Sequence, residues 1–256
     1  MLEPTPQIDD NHRHQSVSSA FPSTTFTRRG MLTASAIFTG AGLVGVTTGA
    51  FGQQPSIRTP EEILGPFYPL RLPIDQDADL TIIAGKEGRA LGQVLYVSGR
   101  VTNLRGEPVV DAELEVWQAN AAGRYTHPAD DNQAPIDPSF DGYAKIRTGP
   151  DGSYGIKTIK PGAYPATPNW MRPPHIHFDV KGRASRLVTQ MYFEGEALNE
   201  KDILLQRKPE PARKRVIATY GAPSGKQETN ALVAVWNIVL IAGRTAGLSA
   251  LKSTSA

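Results

Sequence analysis

Residues 93–103 read QVLYVSGRVTN, and the reading of this stretch decides the fold. Apolar and polar residues alternate along it, valine is frequent, and LRGEP follows as a turn. AELEVWQAN (112–120) alternates again. A period of two places Leu114 and Val116 on one face and Glu113, Glu115 and Trp117 on the other. Further along, GPDGSYGIKTI reads as an Asp-Gly turn and a strand, and HIHFDV and RLVTQMYFEG as two more strands. ALVAVWNIVLIAG (231–243) is the most apolar of these runs. It is too short to span a bilayer and predicts one buried closing strand. Short strands at regular spacing, with turn signals between them, predict an all-β fold: a β-sandwich with long loops and little helix. TPEEILG (59–65) predicts one short helical turn, with Thr59 as cap and Pro60 at the first position.

The N-terminal quarter has a different character. Residues 1–27 are polar and lack apolar periodicity, so they predict disorder. TRRGMLTASAIFTGAGLVGVTTGAFGQQ follows: an arginine pair at Arg28 and Arg29, an uncharged stretch of moderate hydrophobicity, then small residues at Gly49, Ala50 and Gly52. This is the pattern of a cleaved export signal, and the adjacent arginines resemble the twin-arginine type. A membrane anchor is the alternative, against which the stretch is Gly/Thr-rich and weakly apolar. The expectation is a signal over 1–52, one folded domain over 53–245 and a loose tail over 246–256. Localisation would be periplasmic or secreted, with no stable membrane span after cleavage. The twin-arginine route carries folded protein, so a metal loaded in the cytoplasm fits it.

The chain has no cysteine, which excludes disulfides and thiolate metal ligands. Its formal net charge is +2 with the basic residues scattered, which gives nucleic-acid binding no support. The local RKPEPARKRV cluster (207–216) reads as a solvated loop.

Histidine is scarce, five in all, and His12 and His14 lie in the polar N-terminal segment. His175 and His177 stand one residue apart in NWMRPPHIHFDV (169–180). On a strand they project together, with Ile176 turned into the core. Alone, such a pair is more often ordinary polar surface than a metal site. No His-Glu-x-x-His pattern is present, and Asp179 is the nearest carboxylate. The other candidate ligands are tyrosines in loop-like, Gly-containing contexts: Tyr125 in GRYTHP and Tyr164 in KPGAYPATP. A phenol, of ordinary pKa about 10, becomes an anionic ligand only on a strongly acidic metal. Phenolate is a hard donor that suits Fe(III) better than Cu(I) or zinc.

Together these segments resemble the intradiol ring-cleavage dioxygenases, and within them the iron-binding subunit of protocatechuate 3,4-dioxygenase. The matching stretches are GPFYPL, VSGRVTNLRGEPVVDAELEVWQANAAGRYTHP, APIDPSFDGYAKIRTGPDGSYGIKTIKPGAYP, RPPHIHFDV and TQMYFEGE. They cover roughly residues 59–196 and the closing strand near 232–242. WQAN-x-x-G-x-Y, TIKPG-x-YP and RP-x-HIHF in this order are the specific signals.

The resemblance implies a non-haem Fe(III) cofactor held by Tyr125, Tyr164, His175 and His177. Tyr125 would be the equatorial tyrosinate and Tyr164 the axial one, displaced by substrate. It implies Arg172 beside the bound ring and Gln190 lining the same pocket. The implied reaction opens a small catechol-type aromatic diol between its hydroxyl-bearing carbons, with O2 as co-substrate and no external reductant, to a muconate-type diacid. It also implies an oligomer, here a homo-oligomer.

The chain departs from the protocatechuate pattern. Ala166 stands where those enzymes have Trp, and Trp170 and Met171 precede Arg172 in a shortened loop, Ala166 to Met171. The diol is therefore left open among protocatechuate, other catechols, hydroxyquinol and lignin-derived rings. Other residues read more plainly: His127 as surface loop rather than a support behind the ligands, Tyr143 and Tyr154 as sandwich packing or strand surface, with a pocket position the alternative for Tyr143, Trp117 and Trp236 as core, and Gln118 and Asn120 as loop holders. Competing functions are an exported β-sandwich binding module, a catalytically silent partner subunit, and an extradiol enzyme. The last would need a carboxylate ligand beside the histidines.

Overall fold

The computed structural model describes residues 56–242. The N-terminal and twin-arginine reading (1–52) and the tail (246–256) lie outside these residues. The described part is built from eleven strands and very little helix. β1 (Val94–Asn103) is the longest, and β2 (Glu113–Trp117), β3 (Tyr143–Arg147) and β4 (Ser153–Ile159) follow. A short hairpin, β5 (Tyr164–Thr167) and β6 (Trp170–Arg172), leads into the long pair β7 (His175–Lys181) and β8 (Arg186–Phe193). After β8 come a 3-10 turn (Ala197–Lys201) and two one-turn helices, α1 (Ile203–Gln206) and α2 (Glu210–Arg213). β9 (Ile217–Gly221), β10 (Leu232–Val235) and β11 (Ile238–Leu240) complete the order.

Neighbouring strands run β11-β1-β10-β9-β8-β7-β2-β3, with β4 on the other side of β1. The β1 and β4 half and the β2, β3, β7 and β8 half face each other across one apolar core. Alternation explains the packing. Leu95, Val97 and Val101 of β1 meet Leu114 and Val116 of β2, Ile176, Phe178 and Val180 of β7, and Leu187, Met191 and Phe193 of β8 in one buried cluster. Each such fully buried aliphatic or aromatic side chain contributes about 1.5–3 kcal/mol. Phe178 bridges the layers, its ring 5.1 Å from Trp236 and 6.2 Å from Tyr154. The predicted β-sandwich is the fold.

Three local expectations are corrected. Residues 59–65 form no helical turn. Their backbone groups go to neighbouring strands: Thr59 N–H donates to Val239 O (3.0 Å) and Glu62 N–H to Val188 O (2.9 Å), so the segment is drawn out along the sheet. Thr59 Oγ1 accepts from Val239 N–H rather than capping a helix. The apolar run 231–243 is two strands, not one. Both pair parallel with β1, on its two halves in turn. Between them Trp236 turns into the core, and its carbonyl takes the Tyr154 hydroxyl (2.7 Å) in place of a ladder partner. The basic stretch 207–216 contains α2, with a proline in its first turn, rather than loop alone.

Candidate metal centre and active site

The second face of β2, β7 and β8 carries the site. Register aligns Tyr143, Trp117, His177 and Gln190 as one cross-strand row over β3, β2, β7 and β8. His175 sits opposite Tyr192 in a neighbouring row. Every residue of these rows points away from the sandwich core by the alternation that buries Ile176 and Phe178 within it.

Two further segments roof this face. Tyr164 opens β5, directly opposite Arg172 on β6. Tyr125 comes from the loop after β2. Asn120 Oδ1 folds that loop by accepting from Ala122 and Arg124 N–H (2.9 Å each), and Asp130 Oδ2 accepts from Tyr125 N–H at 2.7 Å. The loop is pressed against the approach to β5: a Cβ at Gly123, whose φ is 79°, would stand 2.1 Å from the Ala163 carbonyl oxygen. Only glycine permits that crossing, and the crossing brings Tyr125 beside Tyr164.

The four rings close a circuit. Centroids are 5.4 Å apart for Tyr125 and Tyr164, 5.5 Å for Tyr164 and His175, 4.9 Å for His175 and His177, and 6.3 Å for His177 and Tyr125. All four side chains are buried. Burial pushes the Tyr125 phenol well above its ordinary value, and the neighbouring Tyr164 adds to this. Burial also raises Tyr164, opposed in part by Arg172. Burial and then Arg172 hold His177 down to about 3 and His175 well below its usual range. At neutral pH the imidazoles are therefore neutral and keep their lone pairs, and the phenols keep their protons unless a cation displaces them.

The donor set fits a hard trivalent cation. Tyr125 Oη and His177 Nδ1 are buried with no hydrogen-bond partner. His175 Nδ1 lies 2.7 Å from Pro173 O and donates to it. That bond fixes the tautomer and leaves Nε2 as the acceptor nitrogen, faced by Arg172 Nη1 at 3.2 Å, and such a tautomer-fixing bond is the arrangement expected behind a metal-ligating histidine. Among the described residues no group of three or more His, Cys, Asp or Glu is placed to hold a metal, and the phenol oxygens of Tyr125 and Tyr164 are the further donors beside the two imidazoles. Asp179 is taken up by Arg186 through a two-bond contact, 2.8 Å each. Asp179, the carboxylate nearest the pair in sequence, is thus engaged elsewhere and is not free to complete an extradiol-type triad.

Arg172 is buried behind the circuit. Its Nη1 lies 3.2 Å from His175 Nε2, and its guanidinium is 5.5 Å from the Trp170 ring centroid and 5.9 Å from that of Tyr192. Gln190 does not present its amide to an open pocket. Its Oε1 accepts from Arg172 Nη2 (2.9 Å) and from the Tyr192 hydroxyl (3.1 Å), and its Nε2 donates to Ile63 O (3.1 Å). It supports Arg172 from behind. In the Ala166–Met171 loop, Ala166 and Met171 are exposed and only Trp170 turns inward, over Arg172.

Several plainer readings also change. Trp117 is buried but stands outside the sandwich core, in an aromatic cluster with Tyr125, Tyr143 and Tyr164. His127 is half-buried, its ring 5.8 Å from Phe67, with Nε2 buried and unpartnered. Tyr154 is core, as expected, and Gln118 and Asn120 hold loops. Sequence reasoning gave no role to Phe67 and Tyr68 of GPFYPL. Phe67 packs on Tyr125 at 4.6 Å and Tyr68 on Trp117 at 5.1 Å, while the Tyr68 hydroxyl donates to Glu115 at 2.5 Å. An aromatic doublet after Gly-Pro was the available signal. Asp202 had none.

This chain belongs to the intradiol dioxygenase family, the dioxygenase family pattern matching residues 63–242. More particularly, it is 48% identical over 168 residues to the protocatechuate 3,4-dioxygenase beta chain of Burkholderia cepacia, covering 64% of this chain and 71% of that one. It is 30% identical over 181 residues to the hydroxyquinol 1,2-dioxygenase of Nocardioides simplex, covering 65% of this chain and 58% of that one, less than two thirds of its length. Among solved structures, the dioxygenase domain of a dioxygenase carbohydrate-binding protein fusion from Streptomyces sp. SirexAA-E superposes with a TM-score of 0.54. The identity is 26%, over 72% of this chain and 98% of that one.

Proposed function

We propose that this protein is a non-haem Fe(III)-dependent intradiol dioxygenase that opens a catechol-type ring with O2 to a muconate-type diacid. One observation carries the reading: Tyr125, Tyr164, His175 and His177 form a closed, buried circuit of rings in which Tyr125 Oη and His177 Nδ1 have no hydrogen-bond partner. Two phenol oxygens, which can lose their protons to a strongly acidic cation, and two neutral imidazoles make a hard donor set that suits such an ion. When bound, ferric iron supplies Lewis acidity and a template for the diol.

The remaining roles fall to the chain. His175 and His177 offer lone pairs that burial keeps unprotonated. Tyr125, held by its loop, stays in place. Tyr164, opposite Arg172, would give up its own proton to hold the cation as a tyrosinate, and in that form its oxygen is the base that would take a proton from the incoming diol. Arg172 provides a fixed positive charge where negative charge builds in the ring, and the guanidinium does not lose its proton at working pH. Buried Trp117 and Tyr192, with the partly buried Phe67, form an aromatic wall that limits water around these groups.

The reading extends to the rest of the chain as proposals resting on sequence: a catalytic domain over 53–245, export through the Arg28–Arg29 signal to the periplasm or beyond, and a homo-oligomer. Among the described residues no helix is long and apolar enough to cross a membrane.

The test is the metal and its colour. Purified protein loaded with ferric iron should show the broad visible band of tyrosinate-to-iron charge transfer. Oxygen uptake should follow with at least one of catechol, protocatechuate, hydroxyquinol or a lignin-derived diol. Colourless protein that holds zinc or no metal, and takes up no oxygen with any of them, would reject the proposal.

A further inference from the structure

We infer that Asp202 is a positioning residue for this reaction, holding the Arg172 guanidinium so that only its Nη1 edge is left to face the four-ring circuit. The inference rests on the function proposed above. It concerns a residue beyond the matched motifs, in the irregular segment between the 3-10 turn and α1.

A guanidinium has five N–H groups. Arg172 Nε donates to Asp202 Oδ2 at 2.9 Å. Nη2 donates to Gln190 Oε1 at 2.9 Å and to the Tyr192 hydroxyl oxygen at 2.7 Å, with Asp202 Oδ1 further off at 3.4 Å. Nη1 is the one nitrogen that these three residues leave free, and it points at His175 Nε2, 3.2 Å away. A metal on that lone pair would free the Nη1 hydrogens for another acceptor. Gln190 and Tyr192 are neutral, so among the described residues Asp202 is the only carboxylate paired with this arginine.

Asp202 is itself immobile. It is 0% exposed, against 3% for Arg172. Its Oδ1 accepts from Leu205 N–H at 2.7 Å, as the cap of α1. A carboxylate tied to backbone at one oxygen and to Nε at the other fixes the plane of the guanidinium, which neutral partners on Nη2 alone would leave free to tilt. Positioning of this kind is worth much in rate, since a misplacement of about 1 Å costs on the order of 10²-fold.

The test is a double-mutant cycle on the iron-loaded enzyme. Asp202→Asn is expected to lower kcat on the order of 10²-fold, with KM less affected and with iron content and the visible ferric band unchanged. In an Arg172→Ala background the same change should alter kcat by less than about twofold, because nothing is left to position. A titration of the ferric band with 4-nitrocatechol gives a readout apart from turnover: Asp202→Asn should change the bound spectrum, and Arg172→Ala should abolish that difference. Asp202→Ser keeps an oxygen to cap Leu205 N–H but cannot reach Arg172. It should behave as the asparagine variant does, and it replaces that variant if asparagine does not fold. Wild-type kcat in either variant, or a loss that multiplies fully with that of Arg172→Ala, overturns the inference alone. A wild-type protein without ferric colour or ring cleavage overturns the proposed function and this inference with it.

Discussion

The imidazole of His177 lies flat on the indole of Trp117, ring centroids 4.8 Å apart and planes 15° from parallel. The two are cross-strand partners on β7 and β2. The stack holds the imidazole plane from behind while its Nδ1 is buried without a hydrogen-bond partner. Trp117→Ala should destabilise the protein by about 3–5 kcal/mol and lower iron content, because the ring loses its backing. Trp117→Phe should cost less on both counts, since Trp117 Nε1 is buried with no partner and its removal forfeits no hydrogen bond. Urea melts and metal analysis of the two variants check this. Equal iron content in wild type and Trp117→Ala would refute it.

Gly65 guards the edge of the same ring. Its φ is 81°, and a Cβ built there would stand 3.0 Å from His177 Cε1. Gly65→Ala meets both a left-handed backbone, at about 1–2 kcal/mol, and a push on the imidazole. Iron affinity should fall by roughly 10–100-fold, measured by competition with a chelator. An unchanged affinity with only a lowered Tm would show that the ring tolerates the shift.

The metal-free protein should lose stability in mild acid. Burial and then Arg172 hold His177 at about 3 in the fold, and in the unfolded chain a histidine titrates near 6.5. The folded value is the lower one. Its stabilising effect is therefore complete above about 6.5 and is lost as pH falls toward 3, with a slope of about 1.4 kcal/mol per pH unit at most. His175 shifts in the same direction and adds to it. Denaturant melts of apo-protein between pH 7.5 and 5, above the range of most carboxylates, should show the decline, and His177→Gln should flatten it. A slope that His177→Gln leaves unaltered would assign the effect elsewhere.

A change in the core should separate folding from chemistry. The Tyr154 hydroxyl donates to Trp236 O at 2.7 Å inside the sandwich. Tyr154→Phe leaves that carbonyl without this donor and should cost about 1–3 kcal/mol. Iron content and kcat should remain those of wild type, as Tyr154 lies across the core from the site. A large fall in kcat at full iron occupancy would contradict the separation.

How much of this was legible without coordinates follows from the range of each interaction. The period-two alternation in QVLYVSGRVTN and ELEVW determined the sandwich. The same alternation in HIHFDV determined that His175 and His177 share a face with Ile176 opposed, because side-chain direction on a strand is a local property. Loop context offered Tyr125 and Tyr164 as candidate ligands, and motif resemblance supplied their roles together with Arg172 and Gln190. The tertiary structure alone decided that Trp117, His177 and Gln190 form one row, because register between strands far apart in sequence depends on the whole sheet. It split the last apolar run at Trp236 and drew out residues 59–65, where donors found strand backbones instead of a helical turn. It alone brought Asp202 to Arg172 across thirty residues, since a buried charge finds its partner through packing in space and leaves no periodic mark along the chain.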